Sequence, residues 1–270
     1  NEESKVLVLS PMYGEYSHIL KHVIGCHITY FVLEDRNNFS IDANDLISQA
    51  CEHDAVIFVN PNSPTGVYCD SMGDIVKQIA CSQNPDSVCK MIWVDETYIN
   101  YLPDAVSLEA MCTVLPELVV CKSMSKCYAL SGLRVAYAVS QSMSMLKRYI
   151  PPWAVSLPGQ LAAVAALRNE TYYGEQYEVI HGEREKMQSA LEASGFRVFP
   201  GVANYLLTYL PEESGYSSVG FIEACRARGL FVRDAQNMGV SLPGNAVRFA
   251  VRSVEENKTM LSVVDDVLSM

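Results

Sequence analysis

Four short segments of this 270-residue chain carry side chains that could do chemistry, and each follows on or lies within an apolar run. Ser123-Met124-Ser125-Lys126 continues through Leu130-Ser131-Gly132-Leu133-Arg134. Small hydroxyls beside a lysine, with an arginine further along, suit a phosphate dianion next to an amine nucleophile. The plainer alternative is a polar loop with two solvated cations. Lys122 is a rival amine, without hydroxyls on both sides. In the second segment, Ile92-Trp93-Val94 delivers Asp95 to the end of an apolar run, and Tyr98 follows. A buried carboxylate there needs a cation or good hydrogen bonds; the alternative is a helix cap. Glu96 is expected to face away from its neighbour.

The third segment is Asn60-Pro61-Asn62-Ser63-Pro64-Thr65-Gly66. Two prolines and a glycine fix a turn whose amides could aim hydrogen bonds at a ligand, or simply close a strand-to-helix loop. The fourth is Val247-Arg248-Phe249-Ala250-Val251-Arg252, with Arg233-Asp234 upstream. On an extended strand Arg248 and Arg252 share a face. Guanidinium pairs grip carboxylates and phosphates; a solvent-facing edge strand with surface salt bridges is the alternative for one of the two. A weaker signal is His18 and His22 on an expected helix, with His27 beyond. No carboxylate or cysteine completes that set at helical spacing, so no metal site is expected. The methionines at 143 and 145 read as helix core.

Elements that could position these residues alternate along the first half. Val6–Leu9, Ile28–Leu33, Ala55–Val59, Met91–Val94, Leu118–Cys121 and Val135–Val139 read as strands. Helices are expected over Glu15–Ile24, from Asp42 through Ala50, and from Asp70 to about Cys81. Continuous apolar strands between helices argue for a mostly parallel sheet covered on both faces. Ligands in such sheets bind beyond the carboxyl ends of the strands. After Pro151, Pro152 and Pro158 the texture changes. An Ala-rich helix over Leu161–Leu167 and a long polar helix to about Ala193 come first. Short strands at Phe196–Phe199, Tyr205–Tyr209, Phe231–Val232 and Val247–Val251 follow, with helices around Phe221–Arg228 and from Glu255. This is an α/β unit over residues 1–155 with a smaller α+β unit over 156–270.

Composition excludes several classes. With 49% hydrophobic and 19% charged residues the chain can bury a core. A net charge of −11 disfavours nucleic acid. No apolar run is long enough to cross a bilayer. Nine cysteines, odd in number and never spaced C-x-x-C, read as reduced thiols in a cytoplasmic setting. The polar start Asn1-Glu2-Glu3-Ser4-Lys5 lacks both a signal-peptide core and an initiator Met, and reads as a fragment or processed product beginning mid-fold.

Taken together, the segments offer a lysine, an acid, ring-oxygen donors and a cationic phosphate cup, the set that pyridoxal 5'-phosphate needs. In this order N-P-N-S-P-T-G, D-E-T-Y, S-M-S-K with L-S-G-L-R, and V-R-F-A-V-R resemble the fold-type I, class I/II aminotransferases. The resemblance runs from Pro11 to the chain's end and is strongest to the branch holding histidinol-phosphate aminotransferase and threonine-phosphate decarboxylase. It implies that Lys126 carries the cofactor as a Schiff base and shuttles the substrate proton. It implies further that Asp95 keeps the pyridine nitrogen protonated, Tyr98 meets the ring oxygen, and Ser123, Ser125 and Arg134 bind the phosphate. Tyr13 would stack on the ring or else pack in the core. Arg248 would hold the substrate carboxylate, with Arg233 and Arg252 available for a substrate phosphate. A homodimer with shared sites is implied, with no nucleic acid and no membrane.

The chain departs from the family pattern in three places. Ser63 stands where the family has Asn before Pro-Thr-Gly, which leaves Asn62 as the expected ring-oxygen donor. Arg252 replaces a glycine usual in aminotransferases, and Pro152-Trp153-Ala154-Val155 and V-R-D-A-Q-N lean the same way, towards the decarboxylase. The family's N-terminal arm and first glycine-bearing phosphate loop precede the Pro11 region and are expected to be absent. The leading expectation is aminotransfer on a small anionic or phosphorylated amino acid. Decarboxylation of a phosphorylated amino acid is the alternative, and a non-catalytic binding module or fragment the alternative of another class.

Overall fold

The structure, a computed structural model, describes residues 2–82 and 88–269. Strand β1 (Lys5–Ser10) leads into α1 (Gly14–His18), which widens into π turns over Ile19–Ile24. Then come β2 (His27–Val32), α2 (Ala43–Ala50), β3 (Ala55–Val59), α3 (Met72–Ala80), β4 (Met91–Asp95), β5 (Leu118–Ser123) and β6 (Ala136–Val139). They form one sheet in the order β2-β1-β3-β4-β5-β6, parallel except for the antiparallel edge strand β6. The expected mostly parallel sheet is therefore present. β1, β3 and most of β5 are buried because both faces are apolar.

The strand order reverses at β1, with β2 on one side and β3 on the other. Such a switch point opens a crevice at the carboxyl ends of the strands. Pro11 to Tyr13 leave β1 there and Asn60 to Gly66 leave β3. Asp95 to Tyr98 and Ser123 to Lys126 follow from β4 and β5.

The second half continues with α4 (Met143–Leu146), α5 (Leu157–Leu167) and α6 (Glu170–Ala193). A four-stranded antiparallel sheet follows, built from β7 (Arg197–Val198), β8 (Tyr205–Tyr209), β9 (Arg233–Asp234) and β10 (Ala246–Ala250) in the order β7-β8-β10-β9. Helices α7 (Ser218–Arg226) and α8 (Val254–Leu268) complete it, and Ser253 with Glu256 forms a capping box on α8.

Several expectations shift. Helix α3 begins after Ser71 rather than at Asp70. The strand expected at Phe231–Val232 falls instead on Arg233–Asp234, which is the pair that registers with Arg248 and Val247. Met145 is exposed, not core.

Several contacts tie the second sheet to the first. Gly66 has a left-handed backbone (φ +74°) that favours glycine, and Gly201 packs directly against it, so that a Cβ on Gly201 would meet the Thr65 carbonyl at 2.8 Å. The Val202 amide donates to Gly66 O at 2.8 Å, and the Tyr205 hydroxyl donates to Asn62 O at 2.7 Å. These contacts carry β8, and with it β10, up to the crevice.

Candidate active site

Asp95 ends β4, where its carboxylate is gripped from two sides. The Tyr16 hydroxyl donates to Oδ2 at 2.7 Å, and the Thr97 amide donates to Oδ1 at 2.9 Å. Trp93, one strand repeat earlier on the same face, donates its Nε1–H to the Tyr16 oxygen at 3.0 Å. Burial, and then the Asp95 charge, raises the Tyr16 phenol, so Tyr16 stays a donor and holds the carboxylate in one orientation. Tyr13 precedes α1 and is half exposed rather than packed in the core; its ring meets Tyr16 edge-on at 6.3 Å.

The loop after β5 presents the cationic side. The Ser123 and Ser125 hydroxyls lie 2.7 Å apart, and the Ser123 amide donates to Thr97 Oγ1 at 3.1 Å. Lys126 follows at an exposed position. Partial burial of its ammonium pushes the pKa below the usual lysine value, and the Arg248 and Arg134 charges push the same way. More of the amine is therefore neutral and nucleophilic near neutral pH. Arg134 holds a left-handed backbone (φ 55°), unusual for a non-glycine residue and costing about 1 kcal/mol. Among the described residues, Lys126, Arg134, Arg233 and Arg248 have no carboxylate at salt-bridge distance.

The rival Lys122 is committed elsewhere. Its Nζ lies 2.7 Å from Glu109 Oε1, 3.3 Å from Glu96 Oε2 and 3.0 Å from Ser107 Oγ. Glu96, almost wholly buried, also accepts from Ser107 Oγ at 2.6 Å and Leu108 N at 2.8 Å. It faces away from Asp95, as expected.

On the far wall, Arg248 lies over the Tyr205 ring at 4.8 Å and donates from Nη1 to Ser63 Oγ at 3.3 Å. Ser63 is also within hydrogen-bonding reach of the Tyr98 and Tyr205 phenols. Burial pushes the Tyr98 phenol up to about 12, against the pull of Arg248. Asn62, expected to meet a ring oxygen, spends its amide within the protein. Its Nδ2 donates to Pro11 O at 3.2 Å, and its Oδ1 accepts from Thr65 Oγ1 at 3.0 Å. The side chain that faces Tyr98 and Arg248 is Ser63.

Arg233 stands directly across from Arg248 in the antiparallel register, on the same face. Arg252 does not share that strand face as expected, because β10 ends at Ala250. Its guanidinium is held instead by Glu256 Oε1, at 2.9 Å from Nε and 2.8 Å from Nη2. His18 and His22 lie 5.3 Å ring to ring, and no group of three or more metal-ligating side chains gathers among the described residues.

The sequence reading missed Tyr16, Trp93, Thr97 and Tyr205. Two of them had a signal: Tyr16 follows Tyr13 at helical spacing, and Trp93 shares its strand face with Asp95. Tyr205 comes from the other sheet, where no local pattern points back to the crevice.

A profile of the family "Aminotransferase class I and II" matches residues 1–264. The chain belongs to that family. It is 30% identical to a histidinol-phosphate aminotransferase of Archaeoglobus fulgidus, over 98% of this chain and 72% of that protein. It is 27% identical to the L-serine phosphate decarboxylase of Sulfurospirillum multivorans, over 99% of this chain and 69% of the relative. Among solved structures, the histidinol-phosphate aminotransferase of Clostridium acetobutylicum superposes with a TM-score of 0.86 at 26% identity, covering 98% of this chain and 78% of that one. The chain spans as little as 63% of some curated relatives that it matches.

The class I and II aminotransferase fold, with its mostly parallel sheet, is therefore that of fold-type I, and its cofactor is pyridoxal 5'-phosphate. The residues present fit that group. A carboxylate fixed by two donors suits a pyridine nitrogen, and unpaired cations beside two hydroxyls suit a phosphate. A lysine with a depressed pKa suits an aldehyde.

Proposed function

We propose that this chain is an aminotransferase acting on a small anionic or phosphorylated amino acid, with Lys126 as its nucleophile. The observation that carries this reading is the gathering of Lys126, Arg134 and Arg248, without a carboxylate partner, opposite the fixed Asp95. When bound, pyridoxal phosphate supplies an electrophilic carbonyl and an electron-withdrawing ring. The chain's residues do the rest. Asp95 holds a proton at the ring nitrogen. Tyr98 donates to the ring oxygen, with Ser63 rather than Asn62 beside it. Tyr13 covers the ring, while Ser123, Ser125 and Arg134 take the phosphate. Lys126 would hold the cofactor through its aldehyde and, as a free amine, would take the proton from the substrate α-carbon.

Arg248 grips the substrate carboxylate. Two arginines directly opposite each other in a sheet repel, and anionic groups of a substrate relieve that repulsion. Arg233 therefore takes a second anionic group, which favours an acidic or phosphorylated side chain. Serine phosphate, in the name of one relative, carries both a carboxylate and a phosphate, and histidinol phosphate, in the name of another, carries the phosphate alone. The decarboxylase relative keeps decarboxylation as the second reading. Arg252, which leaned that way in the sequence, is engaged by Glu256, so aminotransfer leads. With pyridoxal phosphate present, phosphorylated amino acids plus 2-oxoglutarate are expected to give glutamate and a keto product. Stoichiometric CO₂ without glutamate would establish the decarboxylase reading instead, and neither product would leave a binding module.

The larger unit would span residues 1–155 and the smaller 156–270, and the nine free cysteines suit a reducing compartment such as the cytoplasm. No helix among the described residues is long and apolar enough to cross a membrane. A second copy is the proposed occupant of the exposed face of α5. Leu157, Leu161, Val164 and Leu167 are exposed there, while Ala163 and Ala166 pack against Met124 beside Lys126. A copy seated on that face lies next to the loop that carries Lys126. Sedimentation at micromolar concentration should give twice the chain mass, and a monomer at that concentration contradicts the pairing.

A further inference from the structure

Thr97 touches three parts of the site at once. Its amide donates to Asp95 Oδ1 at 2.9 Å, its hydroxyl accepts from the Ser123 amide at 3.1 Å, and its carbonyl accepts from the Cys127 thiol at 3.1 Å. The parallel pairing of β4 with β5 ends at Asp95 opposite Cys121. Beyond that point the Ser123 amide has no strand acceptor on the β4 side, and the Thr97 hydroxyl takes the place of the missing rung. Ser123 in turn accepts from the Ser125 amide at 3.4 Å and shares a hydrogen bond with its hydroxyl. Thr97 itself is buried.

We propose that Thr97 is a positioning residue that holds the Ser123–Ser125 hydroxyl pair at the phosphate of the cofactor, in register with the ring-facing Asp95. This rests on the reading of the Lys126 site as a pyridoxal phosphate site. The side chain acts only on the phosphate end, because the contacts to Asp95 and Cys127 are made by the Thr97 backbone. Replacing the hydroxyl with a methyl group keeps the shape and leaves the Ser123 amide without its acceptor.

The test compares pyridoxal phosphate with pyridoxal, which lacks the phosphate, by the visible absorption each develops on binding. Thr97→Val should weaken pyridoxal phosphate roughly tenfold, the effect of one lost buried hydrogen bond, and leave pyridoxal within about twofold. Thr97→Ser, which keeps the hydroxyl, should restore the wild-type ratio. Equal weakening of both compounds, or of neither, overturns the proposal. So does a Thr97→Ser variant that behaves like Thr97→Val. If Thr97→Val does not fold, Thr97→Ala reads the same ratio. If the unsubstituted protein binds neither compound, the underlying cofactor reading fails, which is a separate outcome.

Discussion

Lys126→Ala should reduce turnover by at least about 10⁴-fold while leaving the fold intact. One side chain serves as both nucleophile and proton carrier, and proton transfer by a placed group alone is worth about 10²–10⁴. The residue is exposed, and among the described residues no hydrogen bond or ion pair of its side chain holds the fold, so its removal strands no buried partner there. Lys126→Arg should be as inactive as the alanine variant, because the guanidinium stays charged. The depressed pKa sets the pH dependence. Folded Lys126 releases its proton at lower pH than a free lysine, so capture of pyridoxal phosphate should reach its plateau at lower pH than with a lysine model amine. Single-turnover assays across pH check both points. Activity retained in Lys126→Ala, or carried by Lys122, contradicts the assignment.

Lys122→Met should destabilise the protein by about 3–5 kcal/mol, since it strands the carboxylates of Glu96 and Glu109 around a buried site. Glu96 is only 1% exposed. The cost comes from the charge left behind more than from the pair that is lost. Lys122→Met combined with Glu96→Gln should therefore be more stable than Lys122→Met alone. Urea denaturation measures this directly. A single variant that unfolds at the wild-type midpoint shows that the cluster is not the buried ion network described.

These two lysines show how far the sequence could be read. Lys122 lies near the end of β5 and Lys126 in the loop four residues on, and only the flanking hydroxyls distinguished them beforehand. Strand hydrophobicity placed Asp95, Ser123 and the Asn60 turn at the carboxyl ends of a parallel sheet, because burial on both faces leaves an unbroken apolar run. Long-range partners left no such trace. Glu256 stands only four residues beyond Arg252, but Arg252 was read on a strand face where β10 has already ended. Nothing near Asn62 says that its amide will be spent on Pro11, more than fifty positions back along the chain. Ser63 takes its place because a loop residue's direction is set by the opposing sheet, which here brings Tyr205 and Arg248. Tyr16 and Trp93 escaped because they act on Asp95 rather than on a ligand, although their spacing was visible.

The central claim is that Lys126 is the amine that captures pyridoxal phosphate. Reduction of the mixture with borohydride fixes the captured group, and peptide mass spectrometry with fragmentation then locates it. The account predicts a visible band on mixing and one stoichiometric adduct on Lys126. An adduct on Lys122, adducts scattered over surface lysines, or no adduct at all would contradict it.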